Sequence, residues 1–76
     1  MSAPLVIDAR GLKCPLPVLR CEKALAGMAG TVALEVLADD PVARIDIPLL
    51  AQKRGLVCEM EESAGSGLRF VLRNGE

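Results

Sequence analysis

The chain offers three thiols, Cys14, Cys21 and Cys58, and no histidine among its 76 residues. A cysteine acts through its thiolate, which is both the nucleophile and the metal ligand. Without imidazole, mechanisms that need histidine as base, shuttle or ligand are excluded. The spacings contain no Cys-x-x-Cys pair, and three thiols alone leave a tetrahedral zinc site one ligand short. No metal and no cofactor is therefore expected. An odd number of thiols also argues against a disulfide framework. Cys14 and Cys21 are two helical turns apart, about 10 Å between α-carbons, beyond disulfide reach. Each thiol needs its own explanation.

Cys14 stands at the mouth of a helical pattern, just after a short apolar run, and is followed by Pro15 and Pro17. Proline in a first helical turn costs little, because the first four N–H groups lack intrahelical partners anyway. Pro15 disfavours helical dihedrals at Cys14, as an N-cap residue requires. The spacing thus places Cys14 at the positive end of a helix dipole, with Arg10 and Lys13 nearby. Such surroundings favour anions and lower a thiol's pKa. Local charge agrees: residues 1–30 carry a net charge of +2 and residues 31–62 a net charge of −4. The expectation is a lowered Cys14 pKa, with Arg10 and Lys13 stabilising the anion or docking an acidic partner. With no base in sight, the chemistry left to such a thiolate is disulfide exchange, sulfenylation or carriage of a sulfur atom with a partner. The plain alternative is that Cys14 is an ordinary capping-region residue.

The elements that must hold this thiol are legible in the hydrophobic periodicity. Leu5, Val6 and Ile7 form a short strand ending near Asp8. From about Pro15 to Met28, Val18, Cys21, Leu25 and Met28 recur at helical spacing, with Gly30 as a stop. Val32, Leu34, Val36 and Ala38 then alternate as a half-buried strand, and Asp39-Asp40-Pro41 reads as a turn, its acids as turn and cap residues. A second helix is expected from Asp46 to Arg54, with Asp46 as N-cap, Pro48 in the first turn, Gly55 as the stop, and Ile47, Leu50 and Ala51 as its buried stripe. Two strands follow, around Leu56–Glu61 and Leu68–Arg73, joined by Ser63-Ala64-Gly65-Ser66-Gly67 as a hairpin loop.

Strands that are apolar on one side carry Glu35, Glu59, Glu61, Arg69 and Arg73 on the other. A sheet covered on both faces would show continuous apolar runs instead. The expected fold is α+β: a β-α-β-α-β-β two-layer sandwich with two helices on one face of a four-stranded mixed sheet, and a right-handed β-α-β crossover. Residues 1–76 are expected to form one domain. Cys21 and Cys58 then fall on apolar faces and read as small core residues.

Composition narrows the function. The chain is 51% hydrophobic and 25% charged, with a net charge of −1 and one aromatic residue, Phe70. That disfavours direct nucleic-acid binding, which wants cations for phosphates and rings to stack on bases. The longest uncharged run, Ala24 to Leu34, is too short for a bilayer. The N-terminus lacks a positive region and soon reaches Asp8, so no signal peptide and no membrane association is expected. The expectation is a cytoplasmic protein.

Asp8-Ala9-Arg10-Gly11-Leu12-Lys13-Cys14-Pro15-Leu16-Pro17 resembles the D-x-x-G-L-x-C-P-x-P signature of the TusA/SirA/YedF family of small sulfur-carrier proteins. The resemblance continues through Ala38-Asp39-Asp40-Pro41 and Asp46-Ile47-Pro48, and it spans essentially the whole chain. It implies the same two-layer sandwich. It also implies that Cys14 accepts sulfur as a persulfide from a cysteine desulfurase or rhodanese-type donor and passes it to an acceptor protein, with Gly11, Pro15 and Pro17 positioning it. Many members carry another cysteine shortly after the Asp-Ile-Pro segment, where this chain has Leu49, Leu50 and Ala51. A mechanism using two site cysteines lacks its second thiol here. A monomer is expected of a carrier that visits several partners. The competing reading is a non-enzymatic interaction or regulatory module, with Cys14 structural and Leu37, Val57 and Val71 on an open docking face. RNA binding is a third reading that the charge balance opposes.

Overall fold

In a computed structural model that describes residues 4–28, 30–62 and 67–75, the chain runs β1 (Leu5–Asp8), α1 (Leu16–Ala26), β2 (Ala33–Ala38), α2 (Ala43–Lys53), β3 (Leu56–Glu62) and β4 (Leu68–Asn74). The sheet order is β1-β2-β4-β3. β1 and β2 are parallel, Leu5 opposite Leu34 and Asp8 opposite Leu37, and the remaining pairs are antiparallel. This is the mixed, four-stranded β-α-β-α-β-β arrangement that the alternation implied. Among the described residues no helix is long and apolar enough to cross a membrane.

One sheet face is apolar and meets both helices. Burial alternates strictly along β2, with Leu34, Val36 and Ala38 inside, and β4 answers with Leu68, Phe70 and Leu72. Register places Val36 opposite Phe70, and Leu34 opposite Leu72, so the largest core side chains pair across one ladder. Cys21 and Leu25 of α1 and Ile47, Leu50 and Ala51 of α2 close over them. Cys21 is fully enclosed, and Cys58 lies half-buried against the same core. Burial pushes the Cys21 thiol from its ordinary 9.0 up to about 11, and pushes Cys58 up as well. The opposite face is a lattice of charge: Arg69 donates to Glu35 at 2.8 Å and Glu61 at 2.7 Å, and Arg73 reaches Glu59 at 3.2 Å. Pairs this exposed contribute little stability and mainly keep that face in water.

The helices differ from the periodicity at their ends. The helix at residues 16–26 stops before Met28, because Gly27 caps it and its N–H turns back to the Ala24 carbonyl at 3.1 Å. Gly30, expected as the stop, instead has φ +81° in the turn toward β2. The second helix starts at Ala43, three residues before the expected Asp46, because Asp40 accepts the Val42 N–H at 3.1 Å and carries the chain into the helix early. Pro48 therefore lies inside the helix and not in its first turn. Gly55, at φ +69°, follows the last turn as expected. Asn74 reinforces the entry to β2 by accepting the Val32 N–H at 2.6 Å and donating to the Gly30 carbonyl at 3.3 Å. Residues 63–66 of the expected hairpin loop lie outside the described residues.

Candidate functional site

Parallel pairing of β1 and β2 brings their C-terminal ends together, and with them the loops that enter the two helices. Open sheets commonly place their sites at such an end. The loop after β1 stays on the ladder for one residue, where the buried Ala9 donates its N–H to the Leu37 carbonyl at 2.7 Å. It then turns sharply at Gly11, whose φ of +83° lies in the region side chains resist. The Gly11 N–H points at the Asp39 carboxylate, 3.0 and 3.1 Å from its two oxygens. Three residues on, the Cys14 N–H donates to Asp40 Oδ2 at 2.8 Å. Two consecutive acids after β2 thus receive two backbone donors from the Cys14 loop. Donation by the N–H groups of Cys14 and Val42 holds the Asp40 carboxyl below its ordinary range.

Cys14 itself is exposed, and its thiol donates to Asp46 Oδ2 at 3.0 Å. Asp46 sits in the first turn of α2, where an acid is favoured by the helix dipole. The N-cap of α1 is Pro15, one residue later than expected, and Pro17 occupies the first turn; the Cys14–Pro15 peptide is cis. A cavity of ≈ 190 Å³ between the helices is lined by Pro15, Val18, Asp46 and Leu49 among others. It is smaller than the clefts that enclose a small-molecule substrate.

A family model described as Sulfurtransferase TusA matches residues 5–74. The chain belongs to the TusA family. It is 43% identical over 68 residues to a putative sulfur carrier protein of Archaeoglobus fulgidus, covering 88% of each chain. It is 41% identical over 67 residues to the sulfur carrier protein TusA of Allochromatium vinosum, again covering 88% of each. The crystal structure of a SirA-like protein from Desulfitobacterium hafniense matches with a TM-score of 0.86 at 32% identity, over 95% of this chain and 99% of that one.

Within this TusA-family fold, the electrostatics at Cys14 run opposite to the expectation from neighbours in sequence. Donation to Asp46, desolvation, and the charges of Asp46 and Asp40 push the Cys14 thiol up, not down. The helix dipole that was expected to lower it is outweighed, because the side chain faces a full carboxylate while the dipole supplies only partial charge. Arg10 does not face the thiol as a free cation. Its guanidinium makes a two-pronged pair with Asp8, both contacts 2.8 Å, and that pair holds the Asp8 carboxyl down at about 2. Lys13 forms no ion pair among the described residues, and its charge acts on Asp40.

The basic segment 1–30 is thus not the electrostatic environment of its own cysteine. Folding brings Asp39, Asp40 and Asp46 over from the acidic half. Sequence reasoning read these acids as turn and cap residues and missed that they hold the loop and the thiol. The signal was present, since the Ala-Asp-Asp-Pro and Asp-Ile-Pro segments accompany the Cys-Pro-x-Pro motif. Parallel first strands would have placed all three segments at one end of the sheet.

Proposed function

We propose that this protein is a sulfur carrier that holds a persulfide on Cys14. The observation that carries this reading is one exposed thiol, gripped through its own N–H and its sulfur by acids of a second element, in a chain with two other thiols committed to the core. A donor of the cysteine desulfurase or rhodanese type presents a persulfide, R–S–SH. The Cys14 sulfur attacks the outer sulfur, the donor's S–S bond breaks, and R–S⁻ leaves with the electron pair. The Cys14 proton ends on that leaving thiolate, so the products are Cys14–S–SH and R–SH with no net oxidation or reduction. Delivery is the same step in reverse sense: an acceptor's thiol takes the outer sulfur, and Cys14 returns to the thiol. Gly11, Pro15 and Pro17 set the loop that carries the thiol. The cytoplasm, where thiols stay reduced, suits the exposed Cys14.

Asp46 gives the cycle a resting state. Its carboxylate accepts from the thiol but has nothing to donate to an anion. The unloaded protein therefore keeps its proton when alone, and attack waits for a partner whose positive groups offset Asp40 and Asp46. Incubation with a cysteine desulfurase, cysteine and radiolabelled sulfur tests the reading: label should appear on the wild type, be released by reductant, and be absent from Cys14→Ser. Equal labelling of both proteins, or of neither, overturns it.

A further inference from the structure

We propose that the outward face of α2 docks an amphipathic helix of a partner protein, whose aliphatic stripe is interrupted by one arginine that pairs with Asp46. This deepens the carrier reading and rests on it for what the partner exchanges; the docking itself is tested without sulfur. A helix with one buried stripe ordinarily keeps its outer face polar. α2 buries Ala43, Ile47, Leu50 and Ala51 in the core, yet its outer face is aliphatic. Val42 is 42% exposed, Ile45 69% and Leu49 45%. Together with Asp46 they stand at i, i+3, i+4 and i+7, the spacing that makes neighbours on one helix surface. The stripe is about 10 Å long. It borders the thiol, because Asp46 is the residue to which Cys14 donates at 3.0 Å.

Charge selects what covers this stripe. Asp39, Asp40 and Asp46 enter no ion pair among the described residues. Backbone N–H groups of Gly11, Cys14 and Val42 hold the first two, and the charge of Lys13 acts on Asp40. Asp46 has only the thiol, a weak donor, and its Oδ1 oxygen accepts nothing among the described residues. A planar guanidinium takes such a carboxylate with two donors, where a lysine brings a point charge. Lys53 continues the face one turn beyond Leu49, but Glu22 of α1 lines the same cavity, so that end carries both signs. An extended occupant would press its N–H and C=O groups against aliphatic side chains, whereas a helix satisfies its own backbone. Leucine, arginine and leucine at i, i+4 and i+7 of the partner repeat the spacing of Val42, Asp46 and Leu49, so all three contacts form in one register. The hollow between Pro15, Val18 and Leu49 gives a partner leucine a place to enter. A second copy of this chain does not fit, because two-fold pairing of α2 faces sets Asp46 against Asp46.

The test uses the full ¹⁵N-labelled chain and a capped alanine–glutamine peptide of about 18 residues, long enough to be helical, carrying leucine, arginine and leucine at that spacing. One control peptide has glutamate for the arginine, and another has glutamine for both leucines. The leucine–arginine peptide should shift the amides of residues 13–19 and 42–53 saturably. The glutamate peptide should bind about fivefold more weakly, the worth of one exposed ion pair. The glutamine peptide should bind at least about tenfold more weakly, since two leucines stay in water. Ile45→Ser with Leu49→Ser should weaken the leucine–arginine peptide to a similar extent. Asp46→Lys should reverse the order of the arginine and glutamate peptides; should that variant misfold, the three peptides on the unaltered chain decide. Equal binding of all three peptides, binding of none, or shifts centred on β1 or β3 each overturn the proposal. Sulfur labelling of Cys14 is a separate readout: label without peptide binding sinks the docking alone, and peptide binding without label sinks the carrier reading alone.

Discussion

Replacing Gly11 with alanine separates backbone strain from site geometry. Gly11 and Gly55 both have positive φ, +83° and +69°, and a Cβ added at either would meet no heavy atom within 4 Å. Crowding therefore contributes nothing, and the cost is that of forcing an L-residue into the left-handed region, roughly 1–2 kcal/mol. Stiffening the unfolded chain returns about 0.4–1 kcal/mol. A net loss of about 1 kcal/mol should lower Tm by about 4–8 °C in a domain of this size. The two variants should lose similar amounts, because the strain is local and alike. They should differ at the thiol. The Gly11 N–H is held by Asp39, and relaxing φ to a negative value swings that N–H away and releases the loop that carries Cys14. Thermal melts paired with the iodoacetamide rate of Cys14 measure both effects. Gly55→Ala should alkylate as the wild type does, and Gly11→Ala should not. Gly11→Asn, which tolerates the left-handed region better, should recover part of both losses. Wild-type stability in both alanine variants would refute the strain argument. A destabilised Gly11→Ala with an unchanged alkylation rate would refute the claim that this turn positions the thiol.

Further consequences concern the thiols and the loops. Asp46→Asn removes the carboxylate that Cys14 donates to, so the pH profile of Cys14 alkylation should move to lower pH; an unmoved profile would mean that Asp46 does not hold the proton. Alkylation of the native wild type should reach Cys14 first, Cys58 slowly and Cys21 only on unfolding, which peptide mapping resolves. Cys21 has a raised pKa in the folded state, so its contribution to stability is complete below its unfolded value of 9.0 and is lost as pH climbs through about 11. Denaturant melts across that window should fall less steeply in Cys21→Val. Asn74→Ala deletes the bonds to Val32 and Gly30 and should cost about 1 kcal/mol in a urea melt, with the Cys14 alkylation rate unchanged.

What the sequence determined by itself follows from periodicity and local chemistry. Alternation in residues 32–38, 56–61 and 68–73 and the 3.6-residue stripe through Cys21 and Leu25 specify two layers, one wet face, a buried Cys21 and a half-buried Cys58, because burial repeats with the geometry of each element. The Gly-x-x-Cys-Pro-x-Pro run marks the site for a similarly local reason: left-handed turns favour glycine, and prolines suit the start of a helix. The tertiary structure decided the rest. Asp46 lies thirty-two residues from Cys14 and was read as a helix cap; parallel pairing of β1 with β2 makes it the thiol's partner. The same pairing set Asp39 and Asp40 against Gly11 and Cys14. The sign of the Cys14 shift changed accordingly. Charge acts through space over a few ångströms, and neighbours along a chain predict it only where the chain does not fold back. Here it does, and a thiol expected among cations rests on a carboxylate.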